Sequence, residues 1–206
     1  MQPFTTLTAV AAPLVRDNID TDAIIPSREI KTVSKVGLAE GLFAGWRYRK
    51  IGGREIDPTF VLNQPAYRGA EILLGGSNFG CGSSREHAVW ALAEYGFRAV
   101  LAPSFAPIFQ ANCVRNGIAP APIPAEAIAH IAALVALAPQ TARVTVDLEN
   151  CLVVAPDGVT TAFEIADEAR EMLLEGLDGI DLTLKSRDRI AAFREGDQRL
   201  RPWIYL

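Results

Sequence analysis

The chain has little with which to build a metal centre or a disulfide framework, since it holds three cysteines and two histidines in 206 residues. Cys81, Cys113 and Cys151 are odd in number and far apart, so no disulfide set is implied. No Cys-x-x-Cys pair is present to anchor a complete iron–sulfur cluster within the chain. His87 and His130 lack metal-type spacing to each other or to a cysteine, and each reads as structural. No metal site is therefore expected in this chain. Long apolar runs are missing too, none nearing the ~18 residues that cross a bilayer. Leu7–Val15 is apolar, but no basic segment precedes it and Arg16-Asp17 follows, which argues against a signal peptide. With no address, the cytoplasm is the expectation. Positive charge is not in excess either. Twenty Lys and Arg stand against 24 Asp and Glu, a net charge of −4, so nothing invites nucleic acid or an anionic membrane.

What is present is ordinary globular material. Half the residues are hydrophobic and 21% are charged, enough for a core. The length suits one domain over residues 1–206, with a core at about 7–124 and a C-terminal meander with helices at about 125–206.

The most informative stretch is Gly75–His87, Gly-Gly-Ser-Asn-Phe-Gly-Cys-Gly-Ser-Ser-Arg-Glu-His. It follows the strand-like run Glu71–Leu74 and precedes Ala88–Tyr95, helical in composition and stopped by Gly96. Ser83 and Glu86 are spaced as a capping box, and that is one reading of them. A cap requires neither Arg85 nor Gly75, Gly76, Gly80 and Gly82, so the second reading is a small-anion site. Glycines let a backbone approach closely, helix-start amides point at charge, and an arginine offers a forked partner for a carboxylate or phosphate. A phosphate loop of the Walker type needs a lysine that is absent here. The Rossmann fingerprint lacks its third glycine, and no Gly-x-Ser-x-Gly elbow occurs. A small carboxylate is the better guess, with a phosphate binder or a non-catalytic interaction module as the other classes.

Asn78-Phe79-Gly80-Cys81-Gly82-Ser83-Ser84-Arg85-Glu86-His87-Ala88 closely resembles the small subunits of 3-isopropylmalate dehydratases, which correspond to the swivelling domain of the aconitase superfamily. Asp17–Pro26 and Ala102–Phe109, with Asn112 and Gly117, resemble the same family, and the match runs over roughly residues 14–124. Gly176–Leu184 looks like the C-terminal part of the bacterial-length members. The resemblance implies an α/β fold of the aconitase swivelling type, with mixed sheet layers and flanking helices. It also implies a hydro-lyase that interconverts 2- and 3-isopropylmalate in leucine biosynthesis. Its partner would be a large subunit carrying a [4Fe–4S] cluster, and its substrate a small dicarboxylate.

By the same resemblance Ser83 would be the base, with Ser84, Arg85 and Gly82 holding a carboxylate, and Asp22 an active-site aspartate that orients the arginine. Turn chemistry is the rival reading of Asp22. The segment Ser27–Gly37 resembles a substrate-selecting lid in which Ile30 reads the alkyl group, with Arg28 and Lys31 beside it. A solvated basic loop is the alternative. Glu29 stands where the family commonly has an aromatic residue, which leaves related alkylmalates open as substrates. A serine alkoxide is demanding: a helix N-terminus supplies up to about 2 kcal/mol, against about 1.4 kcal/mol per pKa unit.

Around these motifs the pattern gives a strand at Thr6–Val15, a short buried strand at Ala23–Ile25 ended by Pro26, and turns with apolar anchors such as Trp46 and Phe60 through Leu42–Tyr67. Arg98–Ala102 reads as a strand and Phe105–Val114 as a helix capped by Ser104. With the glycine loop these form a βαβα unit and a parallel sheet. Ile118–Pro124 is extended and Ala125–Ala138 helical. Arg143–Leu148, Cys151–Ala155 and Val159–Ile165 form an antiparallel meander. Helices follow at about Asp167–Glu175 and Leu184–Phe193. The apolar tail Trp203–Leu206 is suited to docking on its own subunit or a partner.

Overall fold

Strands β1 (Thr6–Ala9) and β2 (Ala11–Pro13) come from one apolar run that bends at Val10 and feeds two different sheets. The single strand expected over Thr6–Val15 is thus two. The computed structural model describes residues 1–31 and 34–205. Beyond β2 the chain forms α1 (Thr21–Ile24) and α2 (Ala44–Arg47), then the unit β3 (Ile72–Leu74), α3 (His87–Tyr95), β4 (Ala99–Ala102), α4 (Pro107–Arg115) and β5 (Ala119–Pro122). Helix α5 (Ala125–Leu137) leads to β6 (Val144–Asp147), β7 (Leu152–Val154) and β8 (Thr160–Ala162). Helices α6 (Asp167–Glu175), α7 (Gly179–Leu184) and α8 (Arg187–Leu200) follow.

One sheet is parallel in the order β2-β3-β4-β5, and the other antiparallel in the order β1-β6-β7-β8. The two kinds of sheet explain the two kinds of sequence. β3 and β4 are buried at every position, so both are unbroken apolar runs, as a parallel strand covered on both faces requires. β6 buries Val144 and Val146 and leaves Thr145 and Asp147 partly exposed, the alternation of a half-covered strand. Pro120 and Pro122 are tolerated in β5 because it is an edge strand with no further ladder to supply. Helix α3 ends where expected: Gly96, at φ 115°, closes it with its amide on the carbonyls of Leu92 and Ala93. A single hydrophobic core cluster runs from Phe4 to Leu173 and includes Phe43 and Phe60, with Trp46 packed against it. Trp46 stacks on Phe43 at 5.7 Å between ring centroids.

Several local expectations are corrected. Ala23–Ile25 is not a strand: Asp20 Oδ1 accepts from the Ala23 amide at 2.6 Å and caps α1. Ile24 and Ile25 are buried all the same. Ser104 does not cap α4; its hydroxyl accepts from the Asn78 amide at 2.8 Å, and the helix starts later, at Pro107. Cys151 is not a strand residue, for it sits at φ 53° in the turn before β7. The C-terminal helical segment is two helices, and no residue of α7 or α8 is buried. Trp203 and Ile204 are 66% and 55% exposed, so these two tail residues do not dock on this chain; Leu206 lies outside the described residues.

Candidate active site

Three segments distant in sequence interlock through the backbone. The Gly80 amide donates to the Ile19 carbonyl at 2.7 Å, and the Thr21 amide donates to Cys81 at 2.9 Å. The Phe79 amide donates to Ser104, and the Ala106 amide to Phe79, each at 2.9 Å. Two of the glycines exist for this interlock. A Cβ on Gly76 would lie 2.4 Å from the Arg16 carbonyl, and one on Gly80, at φ 77°, would lie 2.1 Å from the Phe109 ring. Gly82, exposed and at φ 89°, then turns the chain toward solvent just before the two serines.

That turn separates Ser83 from the helix. α3 begins at His87, and its N-cap residue Glu86 makes no side-chain cap. Glu86 instead accepts from the Asn116 side-chain amide at 2.8 Å. The Ser83–Glu86 capping box is therefore not formed. The Ser83 hydroxyl lies 3.0 Å from the Thr21 hydroxyl. Among the described residues the amides of Gly82, Ser83 and Ser84, three exposed residues, have no protein acceptor, so three consecutive donors are left unpaired.

Arg85 reaches Asp22 on α1. Its Nη1 donates to Oδ1 at 2.5 Å and its Nη2 to Oδ2 at 3.3 Å, while Nη1 also donates to the Ser27 hydroxyl at 3.0 Å. The Arg85 hydrogen bond holds the Asp22 carboxyl below the usual carboxylate range, outweighing slight burial. A guanidinium has five N–H donors in a fixed fork. Nε and one proton on Nη2 find no acceptor among the described residues, which leaves one edge open to a second carboxylate.

Ser83, Ser84, Arg85 and Gly82 line a cavity of about 220 Å³ together with Thr21. Its other wall is α4, through Pro107, Ile108, Phe109 and Asn112. The Asn112 residue is 6% exposed, and its side-chain amide has no hydrogen-bond partner among the described residues. Thr21, Asn112 and the apolar α4 wall line the same cavity, and the sequence alone assigns them no role there. Two larger and more open grooves, one beside Trp46 and one between α6 and α7, contain neither Ser83 nor Ser84.

The expected lid residues are not brought to this cavity. Arg28 is exposed, with Nε 3.5 Å from Glu29 Oε1, and Ile30 packs against the core. Lys31 lines a separate hollow with Glu29, Gly37, Leu38 and Arg54. Glu29 is buried and accepts from Arg54 Nη2 at 2.6 Å, which accounts for a carboxylate where an aromatic was expected. The end of the segment is clamped by Glu94 on α3, whose carboxylate accepts from the amides of Gly37, Leu38 and Ala39 at 2.6, 2.5 and 2.8 Å. Burial pushes the Glu94 carboxyl up, but these three donors prevail and hold it below its ordinary value. Thr32 and Val33, inside the expected lid, lie outside the described residues.

Among the described residues no group of three or more His, Cys, Asp or Glu could hold a metal ion. Cys113 is fully buried, and burial pushes its thiol up. His87 packs on Trp90 at 4.7 Å between ring centroids, and His130 pairs with Asp157 at 2.8 Å. Among the described residues no helix is long and apolar enough to cross a membrane.

Comparison with known proteins decides the family. Residues 1–126 match the aconitase C-terminal domain, and residues 132–167 match the LeuD_N family. The chain is 60% identical over 205 residues to the 3-isopropylmalate dehydratase small subunit of Cupriavidus necator, covering 100% of this chain and 99% of the relative. The chain belongs to the family of 3-isopropylmalate dehydratase small subunits. The small subunit of Paramagnetospirillum magneticum is 50% identical, covering 99% of this chain and all of the relative. A crystal structure of 3-isopropylmalate dehydratase from Methanocaldococcus jannaschii superposes with a TM-score of 0.64 at 28% identity, covering 92% of this chain and 99% of that one. The shared α/β fold is thus that of the dehydratase small subunits, and the Ser83–Arg85 loop lies within the aconitase-type match.

Proposed function

We propose that this chain supplies one wall of a split active site in a hydro-lyase that interconverts 2- and 3-isopropylmalate in leucine biosynthesis. The observation that carries the reading is the forked Asp22–Arg85 pair beside Ser83 and Ser84 at a cavity with one polar and one apolar wall. The relatives that match the whole chain are named for that activity.

In this reading the open edge of Arg85 and the amides of Gly82–Ser84 hold one carboxylate of the dicarboxylic acid. Ser83 Oγ takes the proton from the carbon next to a carboxylate; the C–H electron pair becomes the new C=C bond, and the hydroxyl on the neighbouring carbon leaves. Expulsion of that hydroxyl needs a Lewis acid, which a [4Fe–4S] cluster on the large subunit would supply. Ile108 and Phe109 give the alkyl group an apolar surface, and Ile30, Arg28 and Lys31 stay outside the cavity. Because α3 starts at His87, its dipole reaches Ser83 weakly, as the effect fades beyond the first turn. The alkoxide must therefore rest on Arg85, the unpaired amides and water exclusion by the partner.

The test is assembly. The purified chain and its iron–sulfur large subunit are assayed separately and together under anaerobic conditions, following the unsaturated dicarboxylate in the ultraviolet. Each alone should be inactive and the mixture should turn over both isopropylmalates. Turnover by this chain alone, or none by the complex, would contradict the reading.

A further inference from the structure

Thr21 occupies an unusual position relative to Ser83. It is 2% exposed, at the first position of α1, tied through its amide to Cys81 and through its carbonyl to the Ile25 amide. Its hydroxyl oxygen lies 2.9 Å from the Ser83 carbonyl and 3.0 Å from the Ser83 hydroxyl. A carbonyl can only accept, so the one proton on Thr21 Oγ1 goes there. The second contact must then use the proton of Ser83, with Thr21 as acceptor. That arrangement suits a neutral serine and fails an alkoxide, which has no proton to give. The Ser83 carbonyl also accepts from the Arg85 amide at 2.8 Å, so it keeps a partner when Thr21 turns away.

We infer that Thr21 is a positioning residue for the Ser83 base: its hydroxyl proton points at the Ser83 carbonyl while the serine is neutral and swings to Ser83 Oγ when that oxygen is deprotonated. The inference rests on the reading of Ser83 as base. One rotation about the Thr21 Cβ–Oγ1 bond suffices, and no covalent bond breaks. The donor favours the charged form, which lowers the pH at which the base becomes available. The ionisable groups around the pair are Asp20 at the cap of α1, Asp22 on α1, and Cys81, Arg85, Glu86 and His87 on the loop and α3. The α4 wall lines the cavity with Pro107, Ile108, Phe109 and Asn112, none of them ionisable. All of these are unchanged in a Thr21 variant, so a displaced pH profile reports on Thr21 itself.

The experiment compares the complexes of wild type, Thr21→Ala, Thr21→Val, Thr21→Ser and Ser83→Ala across pH. Folding and assembly are checked by circular dichroism and gel filtration. Thr21→Ala, which introduces no methyl against the Ser83 carbonyl, should lower kcat at neutral pH about tenfold and move the ascending limb up by about one pH unit, with KM nearly unchanged. Thr21→Val should do the same if it assembles, and Thr21→Ser should restore the profile. An assembled Thr21→Ala with the wild-type profile, or a serine variant as impaired as alanine, would overturn the inference. If Ser83→Ala is inactive in that case, the base reading survives without Thr21. If Ser83→Ala retains full turnover, the base reading fails and this inference fails with it.

Discussion

Arg85 and Asp22, 63 residues apart in sequence, form a two-toothed ion pair in which the aspartate grips the end of the guanidinium and leaves its side edge open. Asp22 thereby acts on substrate through the arginine. We predict that Asp22→Asn, with one acceptor oxygen and no charge, raises KM about tenfold, as expected when a hydrogen bond to a charged group is weakened by ~1.5 kcal/mol. Arg85→Lys should lose more, since a point charge cannot fork. The folded-state carboxyl lies below its ordinary 3.8, so the pair is fully formed above that value and is lost only as pH falls through the lowered one. A carboxyl titration by NMR should find the Asp22 midpoint below 3.8, and a midpoint above it would refute the pairing.

The apolar wall of the cavity belongs to α4, with Ile108 57% exposed at its rim, whereas Ile30 packs on the core. Ile108→Ala should therefore reduce kcat/KM for isopropylmalate by 10-fold or more relative to a methyl-bearing analogue, the scale of one or two methylenes, ~1–3 kcal/mol each. Ile30→Ala is the control. If only Ile30→Ala changes the preference, the alkyl group is read by the lid instead.

Asn112 presents an amide to the cavity with no protein partner among the described residues. Asn112→Leu removes no hydrogen bond of the folded chain, so thermal stability should hold or rise. KM should increase about tenfold if the amide binds substrate, at ~1.4 kcal/mol per decade. Lost stability with unchanged KM would make it a structural residue.

Glu94 clamps residues 37–39 through three backbone amides. Its carboxyl is held below the ordinary 4.5, so the clamp is intact above that value and releases as pH falls through the lowered one. In Glu94→Ala, hydrogen exchange at Gly37, Leu38 and Ala39 should accelerate by about an order of magnitude at neutral pH. Unchanged exchange would show that the segment is held by other contacts.

How far the sequence reveals this site depends on range. The order strand, glycine loop, helix, strand, helix from Ile72 to Arg115 announces a parallel sheet, because strands joined by a crossover helix run in the same direction. Gly96 marks the end of α3 for an equally local reason. Ala23–Ile25 misleads, since three apolar residues carry no period and the Asp20 cap decides for helix. Ser83–Glu86 misleads as well, because Gly82 turns the chain before the spacing of a capping box can act. Only the family resemblance links Arg85 to Asp22 in the sequence. Thr21 and Asn112 belong to stretches that resemble the family, but their place beside Ser83 is not legible: it arises from segments interlocked across dozens of residues, and no local pattern encodes it.

The central claim is that Ser83 performs the proton transfer, and Ser83→Ala in the assembled complex tests it most directly. With assembly and cluster content unchanged, kcat should fall by about 10²–10⁴-fold, the usual contribution of a general base, while substrate binding through Arg85 persists. Near-wild-type turnover by that variant would contradict the account and return Ser83 to a purely structural role beside Thr21.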